Sequence, residues 1–152
     1  MLSLLSRFIR CMEKQRFSAE DDPLTYAIIG CAIKVHKKLG PGLLESPYDE
    51  CMQVALENAG LKFRHQPSVR IPFEGRLLDR NFRPDFLIEE QVVLEIKSVE
   101  HFLPVHQAQV LTYMRLAEIQ RGLLINFNVA LLVNGIKRLI LTEAPIGAPV
   151  VP

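Results

Sequence analysis

Between Phe82 and Ser98 the chain reads FRPDFLIEEQVVLEIKS, two apolar runs on either side of a polar turn. The pattern predicts strands over Asp85–Ile88 and Val92–Lys97, joined by Glu89-Glu90-Gln91. Side chains alternate across a strand, so Glu95 and Lys97 share a face and Ile96 points to the other. An antiparallel hairpin with that turn sets Ile88 against Val92 and Asp85 against Glu95. Asp85, Glu95 and Lys97 then converge on one face, while Phe86, Ile88, Val92, Leu94 and Ile96 fill the other. Apart from those three charges the hairpin is apolar on both faces, which suits the centre of a covered sheet.

The flanking pattern has helical spacing. Leu24, Ile28, Ala32, Val35 and Leu39 predict a helix over 23–39, with Asp22 as N-cap, Pro23 in its first turn and Gly40-Pro41-Gly42 as its breaker. His36, Lys37 and Lys38 fall in its last turn, where positive charge complements the helix dipole. A second helix covers 43–59. Its start is read at Leu43, although Ser46-Pro47 also resembles a cap that would begin it at 47. The earlier start puts Glu45, Tyr48 and Met52 on one stripe. Residues 61–72 read as a strand interrupted near Gln66-Pro67, 73–76 as a turn, and 77–82 as the next strand. Pro104 opens a third helix, to Ala117, on which His106, Gln109 and Tyr113 share a face. Strands follow at 122–127 and 137–142, with an extended piece at 129–133 and a hairpin turn at Asn134-Gly135. The whole predicts a mixed α/β arrangement, a central mixed β-sheet flanked by α-helices. Residues 1–20 read as a flexible or amphipathic leader, 21–145 as one domain, and 146–152 as a loose tail.

Composition narrows the picture only a little. The chain has 152 residues, nearly half of them hydrophobic, and a net charge of +1. That is enough for a packed core, and any electrostatic footprint for nucleic acid must be local. Cys11, Cys31 and Cys51 form no CxxC pair, which points to a reducing, cytoplasmic setting. No apolar segment is long enough to span a membrane.

The chemistry lies in the three charges of the hairpin. Burying unpaired charge is costly, so such groups need partners or a metal. Two adjoining carboxylates repel unless a cation sits between them. Their hard oxygens suit Mg²⁺ or Mn²⁺, and Lys97 supplies positive charge where a water or phosphate can use it. The alternative is an ion network of Asp85, Glu95, Lys97 and Arg83 without metal. His101 and His106 are five residues apart and share no helix face, so a histidine metal site is not expected, although His106 shares the face of Gln109. Arg64, His65, Arg70, Arg76, Arg80 and Arg83 form either a basic rim for nucleic acid or a solvated strand edge.

Asp-x9-Glu-x-Lys with a proline before the aspartate resembles the signature of the PD-(D/E)XK nuclease superfamily. Within it, the chain resembles the GxxExxY family, whose motif stands here as Gly42-Leu43-Leu44-Glu45-Ser46-Pro47-Tyr48. The resemblance continues through Pro104-Val-His106-Gln-Ala-Gln109 and Gly122-Leu-Leu-Ile-Asn-Phe-Asn128 and covers about residues 23–141. It implies a restriction-endonuclease-like core. It implies Asp85 and Glu95 as principal metal ligands, and Glu45 as a contributor to the metal site, directly or through water. Lys97 would position the attacking water, and Gln109 and Tyr113 would line the site. The implied activity is metal-dependent hydrolysis of phosphodiester bonds in DNA or RNA, with Mg²⁺ or Mn²⁺. The other reading is a non-catalytic module of the same fold that binds nucleic acid or a protein partner. The small size and near-neutral charge suggest that substrate grip draws on a homodimer or a partner.

Overall fold

The computed structural model describes residues 9–11, 19–79 and 82–141, the first three by backbone alone. Its elements are β1 (Ile9–Cys11), α1 (Pro23–Leu39), α2 (Glu45–Asn58), β2 (Phe63–His65), β3 (Ile71–Phe73) and β4 (Arg76–Leu78). There follow β5 (Phe86–Ile88), β6 (Val92–Lys97), α3 (Pro104–Ala117), β7 (Arg121–Asn126), a 3-10 turn at Leu132–Gly135, and β8 (Ile136–Leu141). Six strands make one mixed sheet in the order β1-β8-β7-β6-β5-β2, and β3 and β4 form a separate ribbon. β6 and β7 are parallel, the other neighbours antiparallel. A parallel pair needs a crossover, and α3 supplies it. Of the expected leader, Ile9–Cys11 is an edge strand on β8. The expected tail and Arg80 lie outside the described residues.

Helices cover both faces. Phe86, Ile88, Val92, Leu94 and Ile96 pack with Leu123 and Ile125 against Ile28, Ala32 and Val35 of α1 and Tyr48, Met52 and Leu56 of α2. Leu87, Val93, Leu124 and Leu139 pack against Val110, Tyr113 and Met114 of α3. The period-2 alternation expected for the hairpin is therefore the division between the two cores. Each fully buried aliphatic contributes roughly 1.5–3 kcal/mol relative to exposure. Among the described residues no helix is long and apolar enough to cross a membrane.

Three local expectations need correction. The strand expected over 61–72 stops at His65, because Gln66 turns left-handed (φ 47°) and Pro67 cannot donate to a ladder. The chain resumes as β3, which pairs with β4 rather than with the sheet. α2 begins at Glu45, with Pro47 inside its first turn, so neither Leu43 nor Pro47 is its start. Asn134-Gly135 is not a hairpin turn, and 129–133 is not extended. The pairing of Ile125 with Ile136 leaves a long connection whose Phe127 and Leu132 are drawn into the α1–α2 core. There Gly135 closes the 3-10 turn, where a Cβ would collide with the Asn126 carbonyl oxygen. His36 secures the same connection, its Nε2 2.8 Å from the Val129 carbonyl oxygen.

Asp22 does more than cap α1. Its Oδ1 accepts from the Thr25 N–H at 3.0 Å and its Oδ2 from the Thr25 hydroxyl at 2.7 Å. Arg121 of β7 (2.6 Å) and Arg138 of β8 (3.3 Å) donate to the same carboxylate. Burial alone would push the Asp22 carboxyl up. The Thr25 hydrogen bonds and Arg121 outweigh it and hold the group below the usual carboxylate range. A depressed carboxyl stabilises the fold above its unfolded value, and that contribution is lost as pH falls through the folded one. Asp22→Asn is expected to lose roughly 1–3 kcal/mol at pH 7. The gap to wild type should narrow below about pH 4, measured by urea unfolding across pH. A gap that does not change with pH contradicts this role.

Candidate active site

The glutamate of the first motif is presented by a tied loop. Gly42 has φ 99°, a conformation open to glycine and strained for other residues. The Tyr48 hydroxyl donates to the Gly40 carbonyl at 2.6 Å and accepts from the Leu43 N–H at 3.2 Å. Its ring is fully buried and stacks on Phe127, centroids 4.6 Å apart. Ser98, just past β6, donates its hydroxyl to the Leu43 carbonyl. These contacts set the exposed Glu45 at the first position of α2, beside the end of β6. Tyr48 and Met52 turn into the core, so the polar neighbours of Glu45 on its helix are Asp49 and Gln53, at successive four-residue steps.

The hairpin brings the carboxylates together as the alternation requires. Phe86 pairs with Leu94 and Ile88 with Val92, and the next pair outward is Asp85 and Glu95. Each side chain accepts the other strand's backbone. Asp85 N–H donates to Glu95 Oε1 at 2.8 Å, and Ile96 N–H donates to Asp85 Oδ2 at 2.7 Å. Lys97 Nζ lies 3.5 Å from Glu95 Oε2. Burial, then the negative charge of Asp85, pushes Glu95 up to about 8. Burial raises Asp85 to about 6, with the charges of Asp49 and Glu45 adding to the rise against the Ile96 hydrogen bond and Lys97.

Of the other expected residues, Tyr113 and His106 feel the charges of this site. Tyr113 of α3 is buried, and its hydroxyl is raised to about 12 by burial and by the charges of Glu95 and Asp85, so it is a neutral donor. Gln109, one turn earlier, is half-buried. Its side chain makes no hydrogen bond among the described residues. His106 is lowered by slight burial and by Lys97, against Glu45, and its Nδ1 accepts from the Leu103 N–H at 3.0 Å. Glu45 and Asp85 line one cleft of about 380 Å³ with Asp49, Gln53, His65 and Ile96. Glu95, Lys97, Gln109 and Tyr113 do not line it.

Sequence reasoning gave no site role to Asp49, Gln53 or Asn126. Asp49 accepts from Gln53 at 3.0 Å and lies 2.7 Å from His65 Nε2, which fixes that side of the cleft. The signal was available, since Asp49 and Gln53 continue the helical face of Glu45. Asn126, buried in β7 opposite Lys97, accepts from the Val99 N–H at 3.1 Å and donates to its carbonyl at 2.8 Å. One polar residue in the apolar run GLLINF was its mark.

A mixed sheet with helices on both faces presents two clasped carboxylates and a lysine at the end of its central hairpin. A family model described as the PD-(D/E)XK nuclease superfamily matches residues 22–139. The chain belongs to that superfamily, and its fold is the restriction-endonuclease-like core. No curated protein and no solved structure matches it.

Proteins of this superfamily usually use divalent metals, and the donor set here can be tested against one. Among the described residues no three Asp, Glu, His or Cys side chains stand close enough together to hold an ion. Two carboxylates do adjoin, all their donors are oxygen, and both are pushed toward their uncharged forms, chiefly by burial. Mg²⁺ is commonly bound by one or two carboxylates with water completing its shell, so the residues fit.

Two outcomes follow from this geometry. Glu95 ionises more readily unfolded, near ~4.3, than folded, so the metal-free protein loses stability as pH rises from there through about 8. Glu95→Gln removes that penalty. Without divalent metal it should melt ~5 °C above wild type at pH 8 and level with it at pH 4.5, by scanning calorimetry. An offset independent of pH counts against a buried, ionisable Glu95. Tyr48→Phe leaves the Gly40 carbonyl and Leu43 N–H without their partner and should cost about 1–2 kcal/mol in urea unfolding. A neutral result would mean that the hydroxyl does not hold the loop.

Proposed function

We propose that the protein is a metal-dependent nuclease of the GxxExxY group that hydrolyses phosphodiester bonds of DNA or RNA. The observation that carries this reading is the clasp of Asp85 and Glu95 with Lys97 Nζ 3.5 Å from the glutamate. Asp85 and Glu95 would hold Mg²⁺ or Mn²⁺, with Glu45 contributing across the cleft, directly or through water. The bound ion supplies Lewis acidity, lowering the pKa of water and offsetting charge at phosphorus. The chain's own groups do the rest. The backbone N–H groups of Asp85 and Ile96 fix one oxygen of each carboxylate, and Lys97 faces the second oxygen of Glu95. Lys97 orients the attacking water and steadies the negative charge that grows on the phosphoryl oxygens. Tyr113, neutral over the working pH range, donates a hydrogen bond, and Gln109 orients substrate beside it.

A second reading has its own observation. One oxygen of each carboxylate is already taken by backbone, the other Glu95 oxygen faces Lys97, and no third ligand adjoins them. A non-catalytic module binding nucleic acid or a protein partner could keep this arrangement as an ion network. The working form is a homodimer or a complex, and the compartment is cytoplasmic, in keeping with the free thiols of Cys31 and Cys51.

Calorimetric titration with Mg²⁺ and Mn²⁺, followed by cleavage assays on single- and double-stranded DNA and RNA, separates the two. The nuclease reading expects metal binding lost in Asp85→Ala and Glu95→Ala, and cleavage reduced ~100-fold or more in both. Lys97→Met should retain metal and lose cleavage to a similar extent. No binding at millimolar metal by folded wild type rejects the enzyme in favour of the module.

A further inference from the structure

We infer that the β3–β4 ribbon, with the flanking residues 67–70, 79 and 82–83, forms an arm that grips the sugar–phosphate backbone of nucleic acid beside Asp85. The inference rests on the nuclease reading and deepens it by naming the binding surface. The charge of the chain is small but uneven. Residues 62–83 hold six Lys or Arg against two Asp or Glu, and the rest of the chain holds twelve against fifteen. Arg70, Arg76 and Arg83 are exposed, and none is ion-paired among the described residues. Arg64 differs, since Glu90 takes its guanidinium through two hydrogen bonds of 2.7 and 2.8 Å. An unpaired guanidinium presents a planar fork of donors that matches a phosphate.

The arm leaves and rejoins the fold at the site. Gln66 N–H donates to the Asp85 carbonyl at 2.8 Å and closes its base. Val69 N–H donates to the Phe82 carbonyl at 3.2 Å, and the Ser68 hydroxyl to Asp79 at 3.1 Å. The Phe82 ring lies 4.3 Å from that of Tyr113, the residue that feels the charges of Glu95 and Asp85. Ser68 and Arg70 also line a groove of about 260 Å³ with Pro84 and Leu116. At the tip, Glu74 and Gly75 both have positive φ (46° and 76°), a turn whose twist matches that of the strands.

Phe73 on this ribbon is 61% exposed and Leu77 50%, and Phe73 pairs across the strands with Arg76. A solvated edge accounts for the arginines but gives no reason for an exposed phenyl ring beside one. A nucleic-acid strand accounts for both, with phosphate on the guanidinium and a sugar or base face on the ring.

The test is fluorescence anisotropy of the full chain with a short labelled DNA duplex and its single strand, in EDTA so that nothing is cut, over a range of salt. The variants are Arg70→Ala/Arg76→Ala/Arg83→Ala combined, Arg76→Glu alone, and Lys37→Ala/Lys38→Ala at the end of α1 as control, each with its melting temperature measured. The expected result is binding weakened ~10-fold or more in the triple variant, with a log–log salt slope shallower by about 2 or more. Arg76→Glu, at the exposed tip, should weaken binding with an unchanged melting temperature, and the lysine control should match wild type. Equal affinity in all four proteins overturns the arm and leaves the nuclease reading standing. Equal loss in the lysine control also overturns it, because attraction would then be spread over the surface. Wild type that binds neither probe overturns the arm together with the DNA substrate.

Discussion

Two carboxylates at the end of an apolar hairpin repel each other and give up hydration, and the structure is arranged around tolerating them. Each accepts the N–H that the opposite strand presents beyond its last regular pair, so the cost of burial is met partly by backbone. That exchange works in a single register. A slip of one residue would turn every side chain to the opposite face and send Asp85 into the core beneath α1 and α2. The register is held by Phe86, Ile88, Val92, Leu94 and Ile96, all buried. The apolar face of the hairpin therefore aims the polar one, and what reads as core packing is also site geometry.

The rest of the site depends on long-range ties. Tyr48 and Ser98 both bind the loop that presents Glu45, one from the helix that follows it and one from the end of β6. Asn126 binds the backbone just past Lys97 from the parallel neighbour strand. Lys97 and Glu45 are thus positioned through backbone contacts beside them, with the Lys97 ammonium turned to Glu95 and the Glu45 side chain exposed. The tyrosine of the first motif belongs to this support, since its ring is in the core and its hydroxyl serves two peptide groups.

Period-2 alternation made the hairpin legible in sequence down to the pairing of Ile88 with Val92, because a half-charged, half-apolar alternation has few other readings. The first and third helices were equally plain, each opened by proline and the first also closed by glycine. The departures came where tertiary contacts overrode local signals. Asn134-Gly135 carries the composition of a tight turn, yet Phe127 and Leu132 are worth more buried than the turn is worth formed. Residues 61–72 have strand composition, but the left-handed Gln66 divides them between two sheets. Glu45 was legible only through the family motif. The pairing of Asp49 with His65 was not legible, because it joins a helix to an edge strand across sixteen residues of sequence.

The closure of the 67–84 excursion by the Gln66–Asp85 hydrogen bond has a consequence for how such a chain can diversify. Lengthening a closed loop costs little, about 0.6 kcal/mol for each doubling, and the cost does not reach residues beyond the closing bond. Insertions, deletions or exchanges between Ile71 and Leu78 would therefore leave Asp85 where it is. The region between 40 and 48, with three hydrogen bonds in one turn of chain, has no such freedom. One scaffold could in this way acquire new grips without rebuilding its carboxylates, with novelty confined to the ribbon beyond the Gln66–Asp85 and Val69–Phe82 bonds.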